Sequence, residues 1–408
     1  MNYTLESLMG AVGCKKWPER WNEIFDEAMS DFDKNGCPLL DGEYYDRLHE
    51  KYGILNTYLD LYKDVAERVS KNEPLSRLLM LLCYTLKDRK TVMDDLRGFE
   101  RPSAPNPDEE LEYDMLCGLA ALYPVDYCYE LLSKKNLPKE VIDNTLNMFE
   151  RGVTEYMVRH DGKPGYHLLG WYQYATDGKI FEIKRLQIEI NLKIENISIF
   201  KNEKGEVISL AEGVDAHRSG MALGSYGFED EEGSYRAEIE ETADAWLGYP
   251  YNKDTGLVER DKVSLSKAEW KKVVSSGDNV VGLHIPRSGK LNPELVDETI
   301  AEAKEFLKKY CPDYDYKCFH CASWLCNPQL VNLLGEEKNI SKFCKRFSPY
   351  TTKSDGLSVF YFVFLMDDNE NILDNLDALP ENTSLERTLK EYYKSGKVVH
   401  GMGGYFFA

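Results

Sequence analysis

The run NVVGLHIPRSGKLNPELVDETIAEAKEFLKKY, residues 279–310, holds a strand, a loop and a helix in succession. Asn279–Ile285 is a short apolar run bounded by polar residues, the pattern of a buried strand. Pro286-Arg287-Ser288-Gly289-Lys290 then reads as a tight loop. Asn292 is a good N-cap and Pro293 a good first helical residue, because a proline there gives up an N–H that has no partner inside the helix. Val296, Ile300, Ala303 and Leu307 recur at three- and four-residue spacing, with Leu295, Phe306 and Tyr310 beside them, so the helix is expected to run to about Tyr310 with one buried face.

Working outward, Tyr316–Trp324 reads as a second strand after Pro312, and a short helix is expected near Asn327-Pro328. Leu357–Met366 (LSVFYFVFLM) is expected to be a strand apolar on both faces, and His400 with Gly401–Gly404 a turn before a last strand, YFFA. Upstream, residues 181–200 (FEIKRLQIEINLKIENISIF) alternate in the manner of strands, and Asn202–Gly205 is a hairpin turn before a strand at Glu206–Leu210. The first third is different. Trp21, Ile24, Phe25 and Met29 mark a helix face, Pro74–Leu86 is apolar nearly all round, and helices are expected at Asp108–Ala121, Tyr123–Lys134 and Pro138–Phe149. Arg101–Pro107, with three prolines, must be a loop. The texture changes around residues 150–170, so the chain is read as α+β: an all-helical domain, 1–155, followed by a mixed-sheet α/β domain, 156–408.

The chain has 408 residues, with 50 Lys+Arg against 70 Asp+Glu, a formal charge of −20. Without a basic stripe interleaved with aromatics, this argues against a nucleic-acid partner. No run reaches the roughly 18 apolar residues of a membrane span, and the first residues lack a signal layout, so a soluble, cytoplasmic protein with no membrane partner is expected. The ten cysteines are expected to be reduced thiols. The acidic run Glu229–Glu232 reads as a solvated loop, and Tyr166–Tyr174 (YHLLGWYQY) as core or domain packing rather than a substrate wall.

Three features carry chemistry. The loop before the helix is an anion-site candidate, because the first N–H groups of a helix and its dipole favour negative charge, and Arg287 and Lys290 add countercharge. His284, on the first strand beside that loop, suits a general base; its alternative is a histidine bonded between strand and helix. The run CFHCASWLC (318–326) has enough sulfur and nitrogen for a metal, but alternation on a strand sends Cys318 and His320 to one face and Cys321 and Ser323 to the other, so no metal is expected. A thiol or metal enzyme built on Cys318–Cys326 is the third-ranked reading.

The order strand, polar loop, helix, strand resembles the cofactor half of a GNAT N-acetyltransferase domain. VVGLHIPRSGKL, VDETIAEAKEFLKKYCP, CASWLCNPQL, NISKFCKRF and LDALPENTSLERTLKEYYKSGK together resemble a bacterial acyltransferase family that joins a helical N-terminal domain to a GNAT-like C-terminal domain. The resemblance implies direct transfer of an acyl group, acetyl being expected, from acyl-CoA to an amine acceptor, a small molecule or a peptide. It places the cofactor on Leu283 and Ile285 of the strand and on Arg287, Ser288, Gly289, Lys290 and Leu291 of the loop, with His284, Cys321 and Ser323 as the candidate catalytic residues. The loop departs from the usual Gln/Arg-x-x-Gly-x-Gly/Ala pattern in holding only Gly289. The alternative is a non-catalytic sensor or interaction protein on the same fold.

Overall fold

The computed structural model describes residues 3–287, 289–366 and 372–407. The chain forms two compact units, Met1–Glu182 and Ile183–Ala408.

The first unit is built from helices. Trp21–Asn35 buries Trp21, Phe25, Ala28 and Met29 along one stripe, and the Trp21 indole N–H donates to Thr85 Oγ1 at 2.9 Å. Glu73–Lys87 begins under the side chain of Asn72, which accepts from the Leu75 N–H, and buries residues on every side, as a central helix must. Glu110–Ala121 and Val125–Lys134 follow, and the next helix runs from Lys139 to Arg159, ten residues past the expected end. Arg101–Asn106 is irregular. The aromatic run 166–174 enters this unit's core: Tyr166 and Tyr172 are buried, the latter on the helix Leu169–Thr176.

The second unit is organised by a mixed sheet of six strands. Five of them are β1 (Leu186–Lys193), β2 (Asn279–His284), β3 (Phe319–Ser323), β4 (Ser348–Thr351) and β5 (Met402–Phe406), in the order β1-β2-β3-β5-β4. β1 runs antiparallel to β2, β2 parallel to β3, and β5 antiparallel to both its neighbours. A parallel pair needs a crossover, and the helix α1 (Pro293–Tyr310) supplies it. As expected, the Asn292 side chain caps α1 by accepting from the Leu295 N–H, and Val296, Ala303 and Leu307 are buried. Between β1 and β2 the chain forms smaller sheets, among them Ile197–Asn202 paired with Val207–Ala211 across the predicted turn. Val280, Tyr350 and Tyr405 of the main sheet, with Cys318 just before β3, share a core with Ile199, Val214 and Ala237 of these small sheets.

Two expectations need correction. Leu357–Met366 is not a strand: Ser358–Phe362 is a short helix, and Leu365 has φ +61°. Gly356, at φ +74°, turns the chain, and the Asp355 carboxylate accepts from the Leu357 N–H, which starts a helical turn. Phe360 is then buried edge-to-face on Tyr393 at 4.7 Å, while the sheet position beside β5 is held by β4. The last strand begins at Met402 rather than after the glycines and lies inside the sheet. Gly403 and Gly404 belong to it because a Cβ on Gly403 would fall 2.2 Å from the Tyr350 ring, and one on Gly404 would fall 2.8 Å from Phe347 Cβ. Residues 217–222 (HRSGMA) form a turn closed by the Gly220 N–H on the His217 carbonyl, with His217 also bonded to Ser219 Oγ and to Glu231. Among the described residues no helix is long and apolar enough to cross a membrane.

Candidate active site

Register decides which side chains meet on the sheet. Gly282 of β2 pairs with Glu189 of β1 and with His320 of β3, and His284 pairs with Gln187. Paired residues share a face, as do residues two apart on one strand. Gln187, Glu189, Gly282, His284 and His320 therefore stand on one face. Between Val280 and Gly282 the partner on β1 jumps from Leu192 to Glu189, a bulge in which Asn191 takes φ +63°. The extra residue brings Glu189 and Leu192 to either side of Gly282.

The His284 Nε2 lies 2.6 Å from Glu189 Oε2. The side chain of His284 keeps 31 % of its surface exposed, whereas that of Glu189 keeps only 11 %. A buried carboxylate thus holds an accessible imidazole, which is the arrangement of a general base with its orienting acid. Gly282 makes room for the pair: a Cβ there would lie 3.1 Å from Glu189 Cβ and 3.3 Å from its Oε2. Sequence reasoning singled out His284 but not Glu189. The available signal was a pair of polar residues, Gln187 and Glu189, alternating with Ile188 and Ile190 in a strand whose residues 186–190 are all buried.

His320 adjoins this pair. Its Nε2 is 2.8 Å from the Tyr350 hydroxyl. Burial, followed by the charge of His284, pushes its pKa down to about 4. It is therefore neutral at pH 7. Because the folded value lies below the ordinary 6.5, the unfolded chain binds the proton first as pH falls. The stability tied to this group is complete above pH 6.5 and is lost between about 6.5 and 4. At about 1.36 kcal/mol per pH unit, the loss from pH 7 to pH 4.5 is on the order of 2–3 kcal/mol. Urea unfolding of the wild type and of His320→Phe at those two pH values measures it: the wild type is expected to lose more stability on acidification by about that amount, and equal losses would contradict the assignment.

β2 and β3 stay in register at Val281–Phe319 and Gly282–His320. Beyond that point β3 continues with β5 through Ser323, and β2 goes on to Leu283 and His284 without a paired residue on β3. The strands part there. Leu283 is buried, Ile285 half-buried, and the loop that follows carries Arg287, Gly289 and Lys290 exposed, with Leu291 buried. Ser288 lies outside the described residues. Gly289 has φ +124°, a conformation that side-chain-bearing residues rarely adopt. Arg287 is tied through Nη1 to the carbonyl of Phe362 at 3.1 Å. Arg185, not singled out in the sequence, is buried beneath the loop and bonded to the carbonyls of Pro286 (3.0 Å), Gly289 (2.7 Å) and Lys290 (3.1 Å).

Cys321 and Ser323 do not join His284. They lie on the opposite face of β3, as alternation requires, so the structure gives no Cys321–His284 pair. The Ser323 hydroxyl accepts from the Leu325 N–H and caps the 3-10 turn Trp324–Cys326. The Cys326 thiol donates to the Cys321 carbonyl at 3.5 Å, and burial pushes the neighbouring Cys344 thiol up to about 12. Among the described residues no group of three or more His, Cys, Asp or Glu is placed to hold a metal ion.

Residues 173–406 match the family described as GNAT-like C-terminal domain. The chain belongs to that family. Its GNAT-like part accounts for the mixed sheet and the loop before α1, and a helical unit precedes it, as the resemblance in sequence implied. Among solved structures, an acyltransferase in complex with decanoyl-CoA and teicoplanin has 19% identity and a TM-score of 0.61, with 98% of each chain covered. An acyltransferase mutant in complex with octanoyl-CoA has 17% identity, a TM-score of 0.62 and the same coverage. At these identities the likeness establishes the shared fold. A comparison with curated proteins gives no match.

Proposed function

We propose that this GNAT-like protein transfers an acyl group from a CoA thioester directly to an amine. The observation that carries the reading is the His284–Glu189 pair beside the point where β2 and β3 part. In this reading the pantetheine arm lies along Leu283–Ile285, and the diphosphate meets the loop Arg287–Leu291 and the start of α1, where backbone donors, Arg287 and Lys290 offset its charge in an otherwise acidic chain. His284 takes the proton from the attacking amine while Glu189 holds the ring and stabilises its charged form; the new C–N bond forms as the C–S bond breaks, and the departing CoA thiolate takes that proton back from the imidazolium to leave as the thiol. Cys321 and Ser323, on the far face, act in this scheme as packing and cap.

The sequence reading favours acetyl as the acyl group, and the two solved acyltransferases, holding decanoyl-CoA and octanoyl-CoA, support a longer chain. The teicoplanin bound by one of them supports a small-molecule acceptor. A cytoplasmic, bacterial setting fits an enzyme that draws on the CoA pool. The test is release of free CoA thiol from acetyl-, octanoyl- and decanoyl-CoA with a panel of amines. Amine-dependent release is expected for at least one donor; none with any donor would favour the non-catalytic alternative.

A further inference from the structure

We infer that Arg185 is the positioning residue that prepares the cofactor loop for a diphosphate; this rests on the proposed acyl-CoA reading. Arg185 follows Lys184, whose φ of +47° marks the turn just before β1, so it comes from far outside the loop it serves. Its guanidinium is buried and donates to three loop carbonyls, those of Pro286, Gly289 and Lys290, at 2.7–3.1 Å. Its own backbone N–H is fixed on Thr299 Oγ1 of α1 at 3.3 Å, and Thr299 Oγ1 in turn donates to the Leu295 carbonyl. The loop is therefore referenced to the helix through one residue.

Direction follows from peptide geometry. In a trans peptide the carbonyl of one residue and the N–H of the next point opposite ways, and the chain has no cis bonds among its described residues. Drawing the carbonyls of residues 286, 289 and 290 inward to Arg185 turns the N–H groups of Arg287, Lys290 and Leu291 outward. Those are the donors an anion would meet. Ordinary phosphate loops obtain this arrangement from several glycines, which let the backbone turn freely. Here only Gly289 is present, and a buried cation gripping the carbonyl side performs the same orientation. The departed loop sequence and Arg185 are thus two halves of one device. The guanidinium acts from beneath and does not touch the ligand in this arrangement.

The test is calorimetric titration of the full chain and of Arg185→Met and Arg185→Lys with CoA, ADP and pantetheine. ADP carries the diphosphate without the arm, and pantetheine the arm without the diphosphate. CoA and ADP are expected to bind Arg185→Met at least about tenfold more weakly than wild type, with Arg185→Lys between them and pantetheine unchanged. If Arg185→Met does not fold, Arg185→Lys, which keeps the charge but cannot span three carbonyls, gives the same comparison. CoA affinity within twofold of wild type in the variants, or an equal loss toward pantetheine, would overturn the role. Failure of the wild type itself to bind CoA would instead overturn the acyl-CoA reading.

Discussion

His284→Gln is expected to lower turnover by about 10²–10⁴-fold while leaving CoA affinity within about twofold of wild type. Glutamine retains a hydrogen-bonding side chain of similar reach beside Glu189, but it cannot accept a proton from an amine at neutral pH. The loss therefore falls on kcat. Glu189→Gln is expected to give a smaller loss in the same parameter, because the imidazole stays in place but its charged form loses the carboxylate 2.6 Å away. Steady-state kinetics with the donor that supports release, combined with calorimetry for CoA, separates the two effects. If His284→Gln keeps wild-type turnover, the imidazole is structural and the base must be sought elsewhere. Cys321→Ala and Ser323→Ala serve as controls on the other face of β3, since neither side chain reaches His284.

The second large effect is expected at Gly289. Replacing it with aspartate imposes a side chain on a residue at φ +124°, a strain of about 1–3 kcal/mol. It also places a carboxylate beside the proposed diphosphate, where one pair of like charges 5 Å apart costs about 3 kcal/mol at an effective dielectric constant near 20. The repulsion alone lowers CoA affinity by about 10²-fold, and the strain adds to the loss to the extent that it moves the free loop out of its binding conformation. The space around the missing Cβ is open, so the fold itself should tolerate the change. Gly289→Ala shares the strain without the charge and is expected to lie between. Calorimetry that gives the wild-type affinity for Gly289→Asp would remove the loop from the cofactor site.

The linear sequence revealed the scaffold where local signals agree. Asn292 and Pro293 open α1 because capping chemistry is local, and the stripe through Val296, Ala303 and Leu307 has only one periodicity. Leu357–Met366 shows where such reading ends: an apolar run of this length fits a strand or a buried helix equally, and the turn at Gly356 together with the occupied sheet edge decided for the helix. Alternation correctly separated His320 from Cys321, yet it could not say which face His284 would share. That depends on the register of three strands and on the bulge at Asn191, which no local pattern encodes. Glu189, and the place of His320 beside His284, were hidden for this reason. Arg185 was hidden for a related one, since its partners are carbonyls of residues 101–105 positions away, and a backbone carbonyl leaves no mark in sequence.

The acidity of the chain takes on a more specific meaning in this setting. A protein with a formal charge of −20 that binds an anion needs a local exception, and the exposed Arg287 and Lys290, over the buried Arg185, provide one. The most direct test is titration of the wild-type protein with CoA in a calorimeter at neutral pH. Saturable binding of one CoA per chain is expected, weakened at least about a hundredfold in Gly289→Asp and kept in His284→Gln; absence of binding at millimolar CoA would contradict the cofactor site.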